Sequence, residues 1–170
     1  MKKPIIIFGS ARSNGNTFEA IKVVTSKVDS TVIDLANYKI GDYDYNHQNK
    51  ADDFSFIIEQ VLKHETIILA TPVYWYTMSA IMKRFVDRLT DLLELEKYPK
   101  EVLRNKNLAI ISSYGAPEGK NGFEEIFINT ARYLGMNYLG CYFHYSGDDL
   151  EIRALNAGLA DNFIGNLVPG

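Results

Sequence analysis

The side chains best suited to chemistry lie together near the N-terminus, in the segment Gly9-Ser10-Ala11-Arg12-Ser13-Asn14-Gly15-Asn16-Thr17. Its serine, asparagine and threonine side chains offer hydroxyl and amide donors, and Arg12 adds a forked cation suited to phosphate. Gly9 and Gly15 allow backbone conformations that are closed to other residues. A run with helical periodicity follows, and the first N–H groups of a helix attract anions. We interpret residues 9–17 as a phosphate-binding loop; the alternative is a polar turn with an ordinary helix cap.

The kind of phosphate site is narrowed by what this loop lacks. It does not follow the pattern Gly-x-Gly-x-x-Gly, and it does not end in Lys followed by Ser or Thr. Neither a dinucleotide-binding fold nor an NTPase is therefore indicated. A low-molecular-weight phosphatase would need a cysteine in the loop, whereas the chain's single cysteine is Cys141.

Two further segments have compositions that suit a ligand. Residues 71–77 contain three successive aromatic side chains, Tyr74, Trp75 and Tyr76, whose flat faces would suit a planar, partly polar ring. The alternative is that they pack against a neighbouring loop or a second subunit. Residues 112–119 are small and polar with one aromatic side chain. A phosphate at the first segment and a heteroaromatic ring between the other two describe flavin mononucleotide (FMN).

Apolar periodicity predicts the elements that must position these segments. Short β-branched runs predict strands over 4–8, 31–35, 66–70, 108–112 and 138–145. Apolar residues at spacings of three and four predict helices over 17–28, 52–63, 79–95, 122–134 and 150–167. In the helix over 79–95, Arg84 and Arg88 are expected to lie off the apolar stripe. Pro72 is expected to stop the third strand.

Five strand–helix units predict one α/β domain over residues 1–170, with helices on both faces of a parallel sheet ordered 2-1-3-4-5. In such a sheet, ligands bind beyond the carboxyl ends of the strands where the strand order reverses. The three segments follow strands 1, 3 and 4, and they are therefore expected to converge.

Composition limits the function further. The chain has 170 residues and a net charge of −3, so no basic surplus favours a nucleic-acid partner. The apolar run after Lys2 and Lys3 is too short for a signal peptide or a membrane span. One cysteine is compatible with a reducing compartment. A cytoplasmic location with no membrane partner is expected.

The motifs resemble those of the NAD(P)H-dependent FMN reductase family of flavodoxin-like proteins. The resemblance rests on the loop at 9–17, on Thr71-Pro72-Val73-Tyr74, and on Met78-Ser79-Ala80 with the helix that follows. It covers most of the chain, and it implies a flavodoxin-like three-layer sandwich. The similar iron–sulfur flavoproteins carry a cysteine cluster between strand 2 and helix 2. Residues 41–52 contain no cysteine here, so such a cluster is excluded and no metal site is expected.

The resemblance also implies which residues contact FMN. Those expected to hold its phosphate are Ser10, Arg12, Asn14, Asn16 and Thr17. Those expected to line its ring are Pro72, Val73, Tyr74, Trp75, Tyr76, Ser113, Tyr114 and Gly115. Tyr114 is expected to face the three aromatic residues across the pocket. Family members are commonly homodimers or homotetramers with the flavin near a subunit interface.

The expected function is an oxidoreductase that passes electrons from NADPH or NADH through FMN to a small acceptor by a ping-pong mechanism. The flavin carries this chemistry, so no catalytic side chain is assigned. A quinone, a free flavin, an azo compound, a nitro compound and a ferric complex all remain open as acceptors. Three questions also stay open: whether His47 and residues 41–52 cover the flavin, whether Arg84 and Arg88 bind a 2′-phosphate, and whether the protein is instead a flavodoxin-type electron carrier without a substrate.

Overall fold

The five predicted apolar runs form one parallel sheet in a computed structural model that describes residues 3–49, 51–147 and 149–167. The strands are β1 (Ile5–Phe8), β2 (Thr31–Asp34), β3 (Thr66–Pro72), β4 (Asn107–Tyr114) and β5 (Asn137–Tyr145). Their spatial order is β2-β1-β3-β4-β5, which confirms the predicted topology. Strand order therefore reverses between β1 and β3, as the convergence of the three segments requires.

Helices cover both faces of the sheet. The helices are α1 (Asn16–Thr25), α2 (Phe54–Val61), α3 (Ala80–Asp87), α4 (Asp91–Glu94), α5 (Phe123–Tyr133) and α6 (Leu150–Leu167). Residues of α1 and α6 pack into the core on one face, and residues of α2 to α5 pack into the core on the other. The result is the three-layer flavodoxin-like sandwich. No helix in the described part of the chain has the length and apolar content needed to cross a membrane.

Strand β1 shows why the sheet is buried on both sides. Ile5 and Ile7 point into one core, Ile6 and Phe8 point into the other, and all four are at most 1% exposed. Burying such a side chain contributes about 1.5–3 kcal/mol. This central strand therefore fixes the position of the loop that leaves it at Gly9.

The helix predicted over 79–95 is interrupted at Arg88. Helix α3 ends at Asp87, a 3₁₀ turn covers Arg88–Thr90, and the short helix α4 follows. Arg88 was expected off the apolar stripe, but it is only 4% exposed. Its guanidinium donates to Asp52 and Asp91, and it lies 4.6 Å from the centroid of the Phe54 ring. Periodicity missed this because it assigns a charged side chain to the exposed face of a helix, whereas an arginine paired with carboxylates can be buried.

Strands β3 and β4 are longer than predicted. Pro72 does not stop β3, because it still pairs with Ser113 of β4. The next N–H group, that of Val73, donates to Ser113, so the donor that Pro72 lacks would face the β1 side. Strand β1 has already ended there, at Phe8 opposite Ala70, so the missing donor costs no ladder hydrogen bond.

Candidate active site

The loop at 9–17 leaves several hydrogen-bond donors without a protein partner. The residue at the N-terminal cap of α1 is Gly15, so no side chain there accepts a hydrogen bond from the first turn of the helix. Within the described residues, the backbone N–H groups of Asn14, Asn16 and Thr17 make no hydrogen bond. The Arg12 guanidinium likewise has no ion-pair partner in that part of the chain. Unpaired donors, a helix dipole and a cation at one place fit the phosphate group of FMN.

Two side chains anchor the ends of this loop to the rest of the sheet. The hydroxyl of Thr17 is buried and lies 2.7 Å from the hydroxyl of Ser113 at the end of β4. The amide of Asn16 donates to the hydroxyl of Ser146, just beyond β5, at 2.8 Å. Ser10 is also buried, and its hydroxyl accepts from the N–H of Arg12 at 3.3 Å. These contacts confirm that the first and third segments converge.

Ser79 joins the first and second segments, and it was not among the predicted site residues. Its hydroxyl donates to the carbonyl of Gly9 at 2.7 Å, and its N–H donates to the hydroxyl of Thr71 at 3.0 Å. The same hydroxyl caps α3 by accepting from the N–H of Met82. A serine directly before a helical apolar run is a recognisable cap signal, so the sequence held a clue to it.

Gly9 is required for close approach rather than for an unusual conformation. A Cβ atom at Gly9 would lie 3.0 Å from the Cβ and N atoms of Met82. Neither Gly9 nor Gly15 has a positive φ, which corrects the expected reason for both glycines. Any larger residue at position 9 would push the start of α3 away from the loop.

The aromatic segment forms a two-residue β-hairpin turn. Tyr74 and Thr77 exchange N–H···O=C bonds of 2.8 and 3.0 Å. The central residues Trp75 and Tyr76 have φ of 48° and 64°, the left-handed values of a type I′ turn that usually holds Asn and Gly. The ring of Trp75 is 92% exposed. Strained aromatic residues at a loop tip are typical of a functional site.

The wall formed by β4 differs from the prediction. Tyr114 was expected in a loop facing the aromatic turn, but it is the last residue of β4 and is buried. Its ring packs against Phe143 and Tyr145, with centroids 6.0 and 5.3 Å away. Gly115 follows and is exposed, with open space around it. Ser113, within β4, contacts the first segment through Thr17, Gly115 lies just beyond the strand, and the Tyr114 side chain between them is buried.

Residues 41–49 and 51–52 are held against α3 and α4. Arg88 contacts the carbonyl of Gly41 and the carboxylate of Asp52, and Arg84 donates to Asp42 at 2.7 Å. The two ring nitrogens of His47 lie 3.2 and 3.1 Å from the carboxylates of Asp91 and Glu94. Hydrogen bonds to Asp52 and Asp91 outweigh burial and raise the pKa of Arg88. Both arginines are thus committed to carboxylates, which disfavours them as ligands of a 2′-phosphate.

The hydrogen bond from Tyr43 reinforces this attachment. Its hydroxyl donates to Glu94 at 2.8 Å, and this bond raises the pKa of Tyr43 to about 12. The lone cysteine, Cys141, lies elsewhere in β5, where burial raises the pKa of its thiol. No three His, Cys, Asp or Glu side chains are grouped to hold a metal ion in the ranges that the structure describes.

Fold and site together define a flavodoxin-like protein with a donor-rich loop at the start of α1 and an aromatic turn at one edge of the sheet. The sequence model for NADPH-dependent FMN reductase matches residues 3–149. This chain belongs to that family, and it is an NAD(P)H-dependent oxidoreductase with FMN as its cofactor.

Individual relatives agree. The chain is 31% identical over 152 residues to YwqN of Bacillus subtilis (strain 168), described as an NAD(P)H-dependent FMN-containing oxidoreductase, with 81% of this chain and 82% of YwqN covered. The Trp repressor binding protein of Bacillus subtilis superposes with a TM-score of 0.70 at 23% identity, covering 95% of this chain and 97% of that one. An FMN-dependent NADH-azoreductase of Bacillus anthracis, solved with FMN, gives a TM-score of 0.70 at 11% identity, with 95% and 98% covered.

Proposed function

We propose that this chain reduces small planar acceptors, with quinones and azo compounds as the leading classes, by a ping-pong mechanism. The observation that carries the proposal is the juxtaposition of the uncapped loop at 9–17 with the exposed aromatic turn, both tied to the end of β4. The azoreductase among the structural neighbours supports an azo acceptor. When bound, FMN would supply the redox chemistry that connects NAD(P)H to the acceptor, and the residues of this chain would hold and orient it.

The side chains of the loop hold and orient the flavin in this proposal. The residues that would bind its phosphate are Ser10, Arg12, Asn14, Asn16 and Thr17. The Thr17–Ser113 hydrogen bond holds the start of α1 beside β4, so the phosphate and ring positions are set relative to one another.

The second group of residues would shape the space next to the ring. The backbone of Pro72 and Val73 is fixed by pairing with Ser113, and the side chains of Tyr74, Trp75 and Tyr76 stand beyond it. Gly115 leaves the opposite edge open. Because Trp75 and Tyr76 are exposed, the flavin face beside them would be open to solvent. The nicotinamide would bind there first and leave, and the acceptor would then bind at the same place. That sequence of events is what ping-pong kinetics requires.

We also propose that the protein is a homodimer or homotetramer acting in the cytoplasm. Exposed aromatic residues beside the site would be covered in part by a second subunit. Light scattering on a size-exclusion column tests this directly, and a monomeric mass at micromolar concentration would contradict it.

The decisive experiment is an anaerobic titration of the FMN-loaded protein, first with NADH and then with NADPH. If the protein is a reductase, NADH or NADPH alone should reduce the flavin and its absorbance should fall. An electron carrier would be reduced only in the presence of a partner protein. Steady-state rates with a quinone should then give parallel double-reciprocal lines. Protein that binds no added FMN would overturn the proposal, and intersecting lines would overturn its ping-pong part.

A further inference from the structure

A groove of about 830 Å³ lies between α1 and α6, beside the carboxyl end of β5. Its polar lining includes Asn16 and Lys22 of α1, His144 and Ser146 of the β5 end, and Arg153 of α6. The function proposed above makes no use of this groove. Asn16 belongs both to the groove and to the loop at 9–17, so the groove begins at the edge of the proposed phosphate site.

His144 presents an unused hydrogen-bond donor to the groove. The side chain is only 9% exposed, and its Nδ1 atom lies 2.8 Å from the hydroxyl of Tyr142. That hydroxyl is buried and makes no other hydrogen bond to the described residues, so it donates to Nδ1. The neutral imidazole then carries its hydrogen on Nε2. Burial lowers the pKa of His144 and so favours this neutral form.

The Nε2 atom must face the groove. No buried polar side-chain atom in the described residues lacks a partner, yet Nε2 of His144 has none, so it is accessible to solvent. The groove is the surface that His144 lines. A buried histidine aimed into a groove and held in one tautomer is an arrangement that suits a specific ligand.

The remaining groups indicate the chemistry of that ligand. Asn16 donates its amide hydrogen to Ser146, which leaves the Asn16 carbonyl oxygen and the Ser146 hydroxyl hydrogen for hydroxyl groups or a base edge. Lys22 pairs with Glu19 and Arg153 has a contact of its own, so the groove presents two cationic side chains and one carboxylate to a ligand. Val23 and Ala157 add apolar surface against which a flat ring can lie. Phosphate, ribose and a purine would all find suitable contacts.

We propose that this groove binds the adenylate half of FAD, so that the chain accepts FAD as well as FMN. The proposal rests on the proposed FMN site, because the adenylate of FAD is joined to the phosphate that the loop at 9–17 would hold. A second nucleotide separate from the flavin is disfavoured by the shared residue Asn16, which makes the two sites continuous.

Binding of FMN and FAD to flavin-free protein, measured by isothermal titration calorimetry, tests the proposal. The wild-type protein is expected to bind FAD within about tenfold of its affinity for FMN. Ala157→Trp fills the groove from the surface of α6 and should weaken FAD by about tenfold or more, while FMN binding is unchanged. Ala154→Trp is the matched control, since Ala154 is an exposed alanine of the same helix that does not line the groove.

A second variant addresses the histidine. His144→Ala removes the Nε2 donor and should cost about tenfold in FAD affinity, the worth of one hydrogen bond, with FMN again unaffected. If FMN binds and FAD does not, or if Ala157→Trp leaves FAD binding intact, the groove is not an adenylate site and the FMN function stands. If neither flavin binds, the proposed function falls first. The two failures are therefore distinguishable.

Discussion

Arg12 is the only cation of the loop at 9–17, which we propose binds phosphate, and the described residues offer it no carboxylate partner. Arg12→Ala should therefore weaken FMN binding by about 10- to 100-fold, the range for one or two charge-assisted hydrogen bonds. Because the side chain is exposed, the melting temperature should change little. Flavin fluorescence titration measures the affinity. Arg132→Ala, at an exposed arginine of α5, is the control, and an equal loss in both variants would count against a phosphate role for Arg12.

We expect His144 to make the stability of the protein depend on pH. Burial lowers its pKa in the folded chain below the ordinary value of 6.5. Below that value the unfolded histidine takes up a proton that the folded one does not, so the free energy of unfolding falls as the pH decreases. Urea unfolding at a series of pH values from about 7 to about 5 measures this slope. His144→Gln should flatten it, and an unchanged slope in the variant would assign the effect to other groups.

At the scale of elements, the turn at Tyr74–Thr77 combines strain with exposure. Two L-residues in the left-handed region cost about 1 kcal/mol each, and an exposed indole gains little packing in return. Replacing both central residues, Trp75→Asn with Tyr76→Gly, supplies the pair that a type I′ turn prefers. The double variant should raise the free energy of unfolding by about 1 kcal/mol and lower affinity for flavin or acceptor. Chemical denaturation and steady-state kinetics give the two readouts.

The control variant leaves the aromatic turn intact and replaces a residue with positive φ elsewhere in the chain. Glu101 and Asn105 also have positive φ but lie far along the chain, between α4 and β4. Glu101→Asn should change the free energy of unfolding less than the double variant does, because it relieves one strained residue and removes an exposed ion pair with Arg104, and it should leave flavin affinity unchanged. If the turn variant instead lost stability, the aromatic rings would be packing partners, and the inference of a strained functional turn would be wrong.

The sequence predicted the elements well because their signals are local. Continuous β-branched runs such as Ile5–Phe8 mark buried parallel strands, and five strand–helix units leave few topologies. The turn was not predicted, because Tyr74, Trp75 and Tyr76 carry no type I′ signal. The hydrogen bond from Ser79 to Thr71, which joins the two sides of the turn, is not visible in the sequence. Tyr114 was expected in a loop, but it belongs to β4. It pairs with Tyr145 of β5, and this pairing is not visible in the local sequence.

At the scale of the whole molecule, buried charge joins segments that are distant in sequence. Arg88 connects α3 to residues 41–52 and to α4, with its guanidinium 4.6 Å from the Phe54 ring centroid. Arg88→Leu should reduce the free energy of unfolding by about 3 kcal/mol, because it removes the cation that pairs with the largely buried carboxylates of Asp52 and Asp91. Arg84→Leu removes an exposed pair with Asp42 and should cost about 0.5 kcal/mol. Equal losses of stability in the two variants would contradict the claim that the buried ion pair matters more than the exposed one.

Such a long-range link was beyond the reach of sequence periodicity. The pattern at 79–95 reads as one amphipathic helix, and nothing local marks Arg88 as buried. Its partners Asp52 and Asp91 come from segments whose positions depend on the assembled fold. The same holds for the candidate site. The polar or aromatic composition of each loop can be read from the sequence, but the hydrogen bonds between loops, from Thr17 to Ser113 and from Ser79 to Gly9, cannot.

The solvent-facing ring at the tip of the aromatic turn has one more consequence. Trp75 is the only tryptophan in the chain, and it is 92% exposed. Its emission therefore comes from a single, known position in full contact with water. A flavin or an acceptor settling beside the turn would quench that emission, and a second subunit covering it would shift the emission to shorter wavelength. The protein thus carries its own optical reporter, which distinguishes occupancy of the site from assembly without any label.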